Sequence, residues 1–530
     1  MIRFINRDAE MTLIDDAFKA LHNYEEELLR TPIVNFYGVE GIGKTAILRH
    51  VERKCQEQNL RYILIETIKD AQDLSHELFR QAKKYNVSLS FAEEENDVSL
   101  QSIEATKALL SQGTIVILLD AVDTTNEELV AQLAGTLRGV IEDDNKLFVI
   151  LTSRKCLIFE NDRLVSRRLT SLQLKPFDQK GCQDYLDSIG TPLDREIREQ
   201  IYDWTRGYPL AMEVMTGAII ERHLDPRREE DQRALVDLIE ERVIDQGVLA
   251  SLQTPRLEAY KAALMLLCIP RRFNLAIMQE LIENFESDLK QQSGLSYMSL
   301  PRTLNQNTDI LSWNMLKAGY SLDASVRNVF ILKNRIENPE RFLAIHRFLA
   351  DLNKRLADGV PGSDRIRYLR EYLYHSAITS TAQEIEQIAR QTVELIANEL
   401  TAFFEQFHEE FLQDEELKDA LGEQRVLVES LLNRYRARIH RAAAASEVDR
   451  LIHLREFFYY LVNDPLMNGP QGGDLDATLT LAIQELLKEG AIEDIRDILI
   501  ALSRDDVLQQ SLGTHFPLFS SRIQEILAEG

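Results

Sequence analysis

The first 170 residues alternate short apolar runs with amphipathic stretches, which predicts a parallel sheet covered by helices on both faces. The runs are Ile33 to Tyr37, Arg61 to Glu66, Thr114 to Leu119 and Leu147 to Leu151, with a fifth from Leu169 to Leu174. Each is short, rich in β-branched residues and followed by polar or glycine residues. That is the pattern of strands buried on both faces, whose carboxyl ends carry ligand-binding loops. From Pro176 to about Arg222 the period becomes helical, broken at Gly207, Tyr208 and Pro209, where glycine and proline end one helix and open the next. Residues 1–175 are therefore expected to form the sheet domain and 176–255 a helical lid. Leu257 to Cys268, Leu275 to Asn284 and Met298 to Gln306 then read as helices, and Ile310 to Leu316 with Tyr320 to Leu322 as a hairpin. Three helices and a hairpin over 256–360 predict a winged-helix unit.

Past the break from Gly359 to Asp364 nearly everything is helical in period, so 361–530 predict an α-helical C-terminal region. Arg367 to His375 shares Leu-Arg-Glu followed by aromatics with Ile452 to Tyr460, as in a degenerate repeat. One matched pair falls short of the three stacked units that a solenoid needs. A loop from Asn463 to Gly473 separates a last helical piece.

Composition narrows the function classes. The chain has 530 residues, is 45% hydrophobic and 28% charged, and is ordinary for several globular domains. Its formal net charge of −25 repels a phosphate backbone, so nucleic acid is disfavoured as a partner. Arg434, Arg436, Arg438 and Arg441 come nearest to a basic patch, but their helical spacing among acidic neighbours reads as a solvated face. The four cysteines, Cys55, Cys156, Cys182 and Cys268, lack the spacing of a zinc site or redox pair. No apolar run approaches the about 18 residues of a membrane span, and the start has neither the basic nor the apolar region of a signal peptide. A cytoplasmic protein with no membrane partner is the expectation.

The segment G-V-E-G-I-G-K-T from Gly38 to Thr45 fits G-x-x-x-x-G-K-[ST], between an apolar strand and a helix beginning near Lys44. Glycines let backbone N–H groups turn inward around phosphates, and the helix N-terminus adds partial positive charge. Gly38, Gly41, Gly43, Lys44, Thr45 and Ala46 are the expected phosphate-binding set. Lys44 reaches the β- and γ-phosphates, and Thr45 ligates Mg²⁺. The strand from Thr114 ends in Asp120, placed to hold Mg²⁺ through its water shell, and Asp123, placed to orient or deprotonate the attacking water. The strand from Leu147 delivers Thr152, Ser153 and Arg154 to the same edge, where an arginine can read the γ-phosphate. The fold class is thus an α/β P-loop NTPase domain followed by a helical lid, a winged-helix unit and an α-helical C-terminal region.

Gly38 to Thr45, Asp120 to Asp123, Thr152 to Arg154 and Gly207 to Ala211, in that order, resemble the STAND class of signal-transducing P-loop ATPases, which includes the NB-ARC and NACHT families. Phe4 to Glu10 is similar to the class's F-x-G-R-E-x-E opening, with Asn6 in the usual glycine's place. Thr124 stands where a second acid is often found, and Asp323 where the winged-helix unit commonly has a nucleotide-contacting histidine. The resemblance implies ATP or ADP with Mg²⁺ as ligands, slow regulatory hydrolysis, and Pro209 approaching the adenine from the lid. It further implies a switch that oligomerises with copies of itself and signals through a separate effector or sensor, in bacterial defence or regulation. The alternative class is a DNA-acting ATPase with a winged helix. The expected reader segment, Tyr297 to Asn307, offers only Arg302 as a cation, where such helices present several contacts. A metabolic phosphotransferase is weaker still, since nothing marks a small-substrate pocket.

Overall fold

The computed structural model describes residues 6–24, 29–66, 68, 70–85, 98–124, 126–141, 146–159, 162–250, 257–287, 289, 300–308, 310–314, 319–397, 401–443, short pieces between 454 and 483, and 498–529. They fall into two compact units, Met1–Pro339 and Glu340–Gly530. Asn463 to Gly473, Met298, Ser299, Phe4 and Ile5 lie outside the described residues, as do parts of the 452–460 segment.

The first unit opens with α1 (Asp8–His22), β1 (Ile33–Tyr37), α2 (Lys44–Glu57), β2 (Arg61–Glu66), α3 (Ala71–Lys84), α4 (Val98–Leu110), β3 (Ile115–Val122), α5 (Glu127–Ile141), β4 (Leu147–Ser153), α6 (Arg163–Arg168) and β5 (Leu169–Gln173). The five strands make one parallel sheet in the order β2-β3-β4-β1-β5. Ile33, Ile117, Val149 and Leu151 point into a core completed by Leu129, Leu133 and Leu137 of α5, and Val34, Val116, Phe148 and Ile150 on the opposite face are buried as well, which is why these strands carry apolar residues without alternation. Two strands run further than their apolar runs. β3 continues through Asp120 because Ala121 takes a left-handed φ of +54° and the register against β4 shifts between Leu119 and Val122, a bulge that lets polar residues stay in the strand. β4 continues through Thr152 and Ser153 because Ser153 pairs with Tyr37 of β1.

The lid follows as α7 (Gln179–Ile189), α8 (Arg195–Thr205), α9 (Pro209–Arg222), α10 (Glu229–Ile239) and a π-helix over Glu240–Val248. Asp178 caps α7 by accepting from the Gly181 N–H at 2.7 Å. Gly207, between α8 and α9, has a φ of +76°, and a Cβ there would overlap the Phe177 carbonyl oxygen, so this turn requires glycine. Pro209 opens α9 at a position where its missing N–H costs nothing.

The winged-helix unit comprises α11 (Leu257–Leu267), α12 (Leu275–Phe285), a helix over Leu300–Thr308, the antiparallel pair β6 (Leu311–Asn314) and β7 (Gly319–Leu322), and a helix over Ala324–Glu337. Phe273 and Tyr320 exchange backbone hydrogen bonds of 2.9 and 2.7 Å, which fastens the start of α12 to the hairpin. Glu240, at the head of the π-helix, is buried between Lys261 of α11 and Lys333 of the helix Ala324–Glu337, and so joins the lid to this unit.

The second unit is helical, with helices Pro339–Gly359, Gly362–Thr379, Ala382–Ala397, Thr401–Gln413, Glu415–Leu421, Arg425–Ala443, Asp506–Leu512 and Phe516–Glu529 among its described residues. The division between units falls ahead of the break expected at Gly359. Helix Pro339–Gly359 lies on the far side because Ala357 packs in one core with Ile366, Leu369 and Leu373. Arg436 pairs with Glu405 at 3.0 Å and Arg434 lies over Tyr435, so these two arginines are engaged on their own surface. Among the described residues no helix is long and apolar enough to cross a membrane.

Candidate nucleotide site

The place of β1 inside the sheet, between β4 and β5, decides where the phosphate loop stands. Its carboxyl end emerges between β4 and β5, with the Gly38 N–H donating to the Ser153 carbonyl at 3.2 Å and the Leu174 N–H to the Tyr37 carbonyl at 2.8 Å. From there the chain turns through Gly41, with a φ of +75°, and Gly43, with a φ of +104°, into the N-terminus of α2 at Lys44. Lys44 is buried, and its ammonium sits inside the loop, donating to the Gly38 and Val39 carbonyls at 2.8 Å each. Burial holds it below the usual lysine range, the Arg154 charge adds to this, and Glu40 and Asp120 oppose it.

Thr45 and Asp120, 75 residues apart, meet at this edge: the Thr45 hydroxyl donates to one Asp120 carboxylate oxygen at 2.9 Å. The other oxygen accepts from the Thr152 hydroxyl and from the Ala121 N–H at 3.0 Å, while Ala121 N–H also reaches the Thr152 hydroxyl at 2.9 Å. The bulge at Ala121 therefore fixes the Asp120 carboxylate. A hydroxyl beside a carboxylate is the oxygen donor set of a hard divalent cation, so these residues fit Mg²⁺. Asp123 is exposed in the turn beyond the bulge, and Ala46 is exposed in the first turn of α2. Arg154 is also exposed, and its guanidinium lies 3.9 Å from Glu40 of the phosphate loop rather than beside Asp162, which caps α6.

The lid reaches the same loop. Pro209 is half-buried at the start of α9, and its neighbour Leu210 lies so close that a Cβ on Gly41 would stand 2.6 Å from Leu210 side-chain carbons. Tyr208, fully buried, donates its hydroxyl to the Glu40 carbonyl. Arg7 donates to the Ile42 carbonyl at 2.9 Å and to the Lys175 carbonyl at 2.8 Å, with its guanidinium 5.2 Å from the centre of the Phe177 ring. Arg7 and Tyr208 were not among the expected site residues. Asn6, in the place where the family resemblance has glycine, has a φ of +54°, a conformation that asparagine tolerates better than most side chains, and it donates to Asp178 at 2.7 Å. Asp323 caps the helix Ala324–Glu337 through the Ser325 N–H at 2.9 Å, and burial raises its carboxyl against the pull of the capping hydrogen bonds.

Residues 4–215 match the family model described as an ATPase domain predominantly from Archaea. No curated protein matches the chain in sequence. Among solved structures, the chain is similar to Cdc6p from Pyrobaculum aerophilum (14% identity, TM-score 0.35, covering 63% of this chain and 96% of that one). It is also similar to the Aeropyrum pernix ORC1 protein in complex with DNA (20%, 0.35, 65% and 95%). A third is a signal transduction ATPase with numerous domains and a tetratricopeptide repeat sensor from Pyrococcus horikoshii (14%, 0.31, 99% and 77%). With the phosphate loop, the Asp120 strand end and the parallel sheet all inside the matched residues, the chain carries a P-loop ATPase domain.

Proposed function

We propose that the chain is an ATP-binding and hydrolysing switch of the STAND type, in which the state of the nucleotide site is read by the lid and passed to the rest of the first unit. The observation that carries this reading is the seating of Tyr208 and Leu210 directly on Glu40 and Gly41 of the phosphate loop. A lid that touches the loop itself feels any change in what the loop holds, and only such a differential contact can shift a conformational equilibrium. The buried link from Glu240 to Lys261 and Lys333 continues the path into the winged-helix unit.

In this reading the backbone from Gly38 to Ala46 and the Lys44 ammonium bind the phosphates of ATP or ADP, and Pro209 lies on the adenine side. Thr45 and Asp120 hold Mg²⁺, which neutralises phosphate charge when bound. Thr152 and the Ala121 N–H keep the Asp120 carboxylate aimed. Arg154 leaves Glu40 to read the γ-phosphate, and Asp123 takes the proton of the attacking water, in a slow regulatory hydrolysis. The partners are other copies of the chain in one nucleotide state and a separate effector or sensor protein, in bacterial defence or regulatory signalling within the cytoplasm.

Lys44→Ala removes the only side-chain ammonium within the loop. It is expected to abolish ATP binding by calorimetry while leaving the circular dichroism spectrum unchanged. Wild-type ATP affinity in a folded Lys44→Ala protein would falsify the site.

A further inference from the structure

We infer that Tyr208 is a positioning residue of the phosphate cradle: its hydroxyl pins the Glu40 carbonyl outward and so turns the Gly41 N–H toward the phosphates, which makes the shape of the cradle depend on the lid. The inference rests on the reading of Gly38 to Thr45 as a nucleotide site. In a planar trans peptide the carbonyl of one residue and the N–H of the next point in opposite directions. A donor that fixes the Glu40 carbonyl on the lid side therefore fixes the Gly41 N–H on the other side. Arg7 acts on the Ile42 carbonyl in the same way, and so on the Gly43 N–H.

The restraint matters here because Gly41 has no Cβ to choose its conformation. A peptide beside a glycine rotates at little cost, and a rotated Glu40–Gly41 peptide would present an oxygen to the phosphates in place of a hydrogen. Tyr208 is itself rigid. It has no exposed surface, its N–H donates to the Thr205 carbonyl at 2.9 Å, and its carbonyl accepts from Met212 at 2.9 Å as α9 begins. Burial, with the carboxylates of Asp323 and Glu40 nearby, pushes its phenol up, so it stays a donor. Its place on the lid is secured by the Phe177 N–H, which donates to the Gly207 carbonyl at 2.8 Å, and the Phe177 ring in turn lies against Arg7. Arg7, Phe177, Gly207 and Tyr208 thus form a connected bracket that holds the Glu40 and Ile42 carbonyls.

Tyr208→Phe, made in the full chain, keeps the ring and deletes only the hydroxyl. A net hydrogen bond of about 1 kcal/mol corresponds to roughly a fivefold change in affinity, so Mg²⁺-ATP binding measured by calorimetry is expected to weaken about fivefold. Adenosine, which carries no phosphate, is expected to bind both proteins equally when titrated through its saturating range. The cradle is the cause if the ratio of ATP to adenosine affinity falls. Equal ATP affinity in the two proteins overturns the positioning role and leaves the nucleotide site standing. An equal loss of ATP and adenosine binding also overturns it, because the hydroxyl would then serve lid packing alone. Failure of the wild-type chain to bind ATP, or undiminished binding by Lys44→Ala, overturns the site itself.

Discussion

Ala121 carries a conformational cost that its chemistry repays. A left-handed φ of +54° costs a residue with a Cβ roughly 1–2 kcal/mol, and in return the Ala121 N–H reaches both the Asp120 carboxylate and the Thr152 hydroxyl. A β-branched side chain bears this conformation worse than alanine does. Ala121→Val is expected to lower the stability of the folded chain by about 2 kcal/mol and to weaken Mg²⁺-ATP binding more than metal-free ATP binding. Ala121→Gly should change stability by less than about 1 kcal/mol, since relief of strain offsets the added freedom of the unfolded chain. Urea titration with calorimetry at and without Mg²⁺ checks both, and equal stability of the valine variant would remove the strain argument. At this scale the sequence was most legible where residues act within one contiguous motif. Gly38 to Thr45 could be read directly because the motif and its flanking strand and helix lie in one stretch of sequence. Arg7 and Tyr208 could not, because each serves a backbone carbonyl 35 or 168 residues away, and neither separation leaves a pattern in the chain.

The elements were legible to the extent that burial dictates composition. All five sheet strands stand where the apolar runs lie, but the ends of β3 and β4 extend past those runs, since a bulge and a paired serine hold polar residues in strand conformation. The π-helix Glu240–Val248 gave no signal, because its residues continue the helical period of α10, and the buried Glu240 at its head meets Lys261 and Lys333 from distant parts of the chain. That meeting is testable by pH. Burial tends to raise the Glu240 carboxyl, but Lys261 and Lys333 outweigh it and hold it below the usual carboxylate range. A carboxyl with a lowered folded-state value contributes stability above its unfolded value, about 4.3, and loses it as pH falls through the folded value. The wild-type chain should therefore lose stability on acidification below about pH 4.3 more steeply than Glu240→Gln. At neutral pH the variant should be weaker by roughly 1–3 kcal/mol, the range for losing hydrogen bonds to charged groups, because Lys261 keeps Asp245 and Lys333 keeps Glu337 as partners. Parallel acid profiles of the two proteins in urea denaturation would contradict the link.

For the whole molecule, the proposed switch makes mass the observable. Asp123→Asn keeps an amide that positions water but cannot take its proton, so ATP binding should persist while turnover slows. A species that assembles only with ATP should then appear at lower ATP concentration than in wild type, as seen by light scattering with ATP, ADP and neither. Unchanged mass in all three conditions, with any required activator present, would count against the switch, and wild-type turnover would remove Asp123 from the chemistry. The strand order bears on how such a molecule is made. β1 pairs only with β4 and β5, more than a hundred residues further on, and Tyr208 and Leu210 come later still. At the usual synthesis rate of about 5–20 residues per second, Ile33, Val34 and Phe36 wait on the order of 5–20 s for a neighbouring strand. The first strand of the sheet to leave the ribosome is thus among the last to be paired. The phosphate loop gains its Tyr208 and Leu210 contacts only after the lid has been translated, so a chain stalled before residue 211 would carry the whole phosphate-loop motif and still lack the contacts at Glu40 and Gly41.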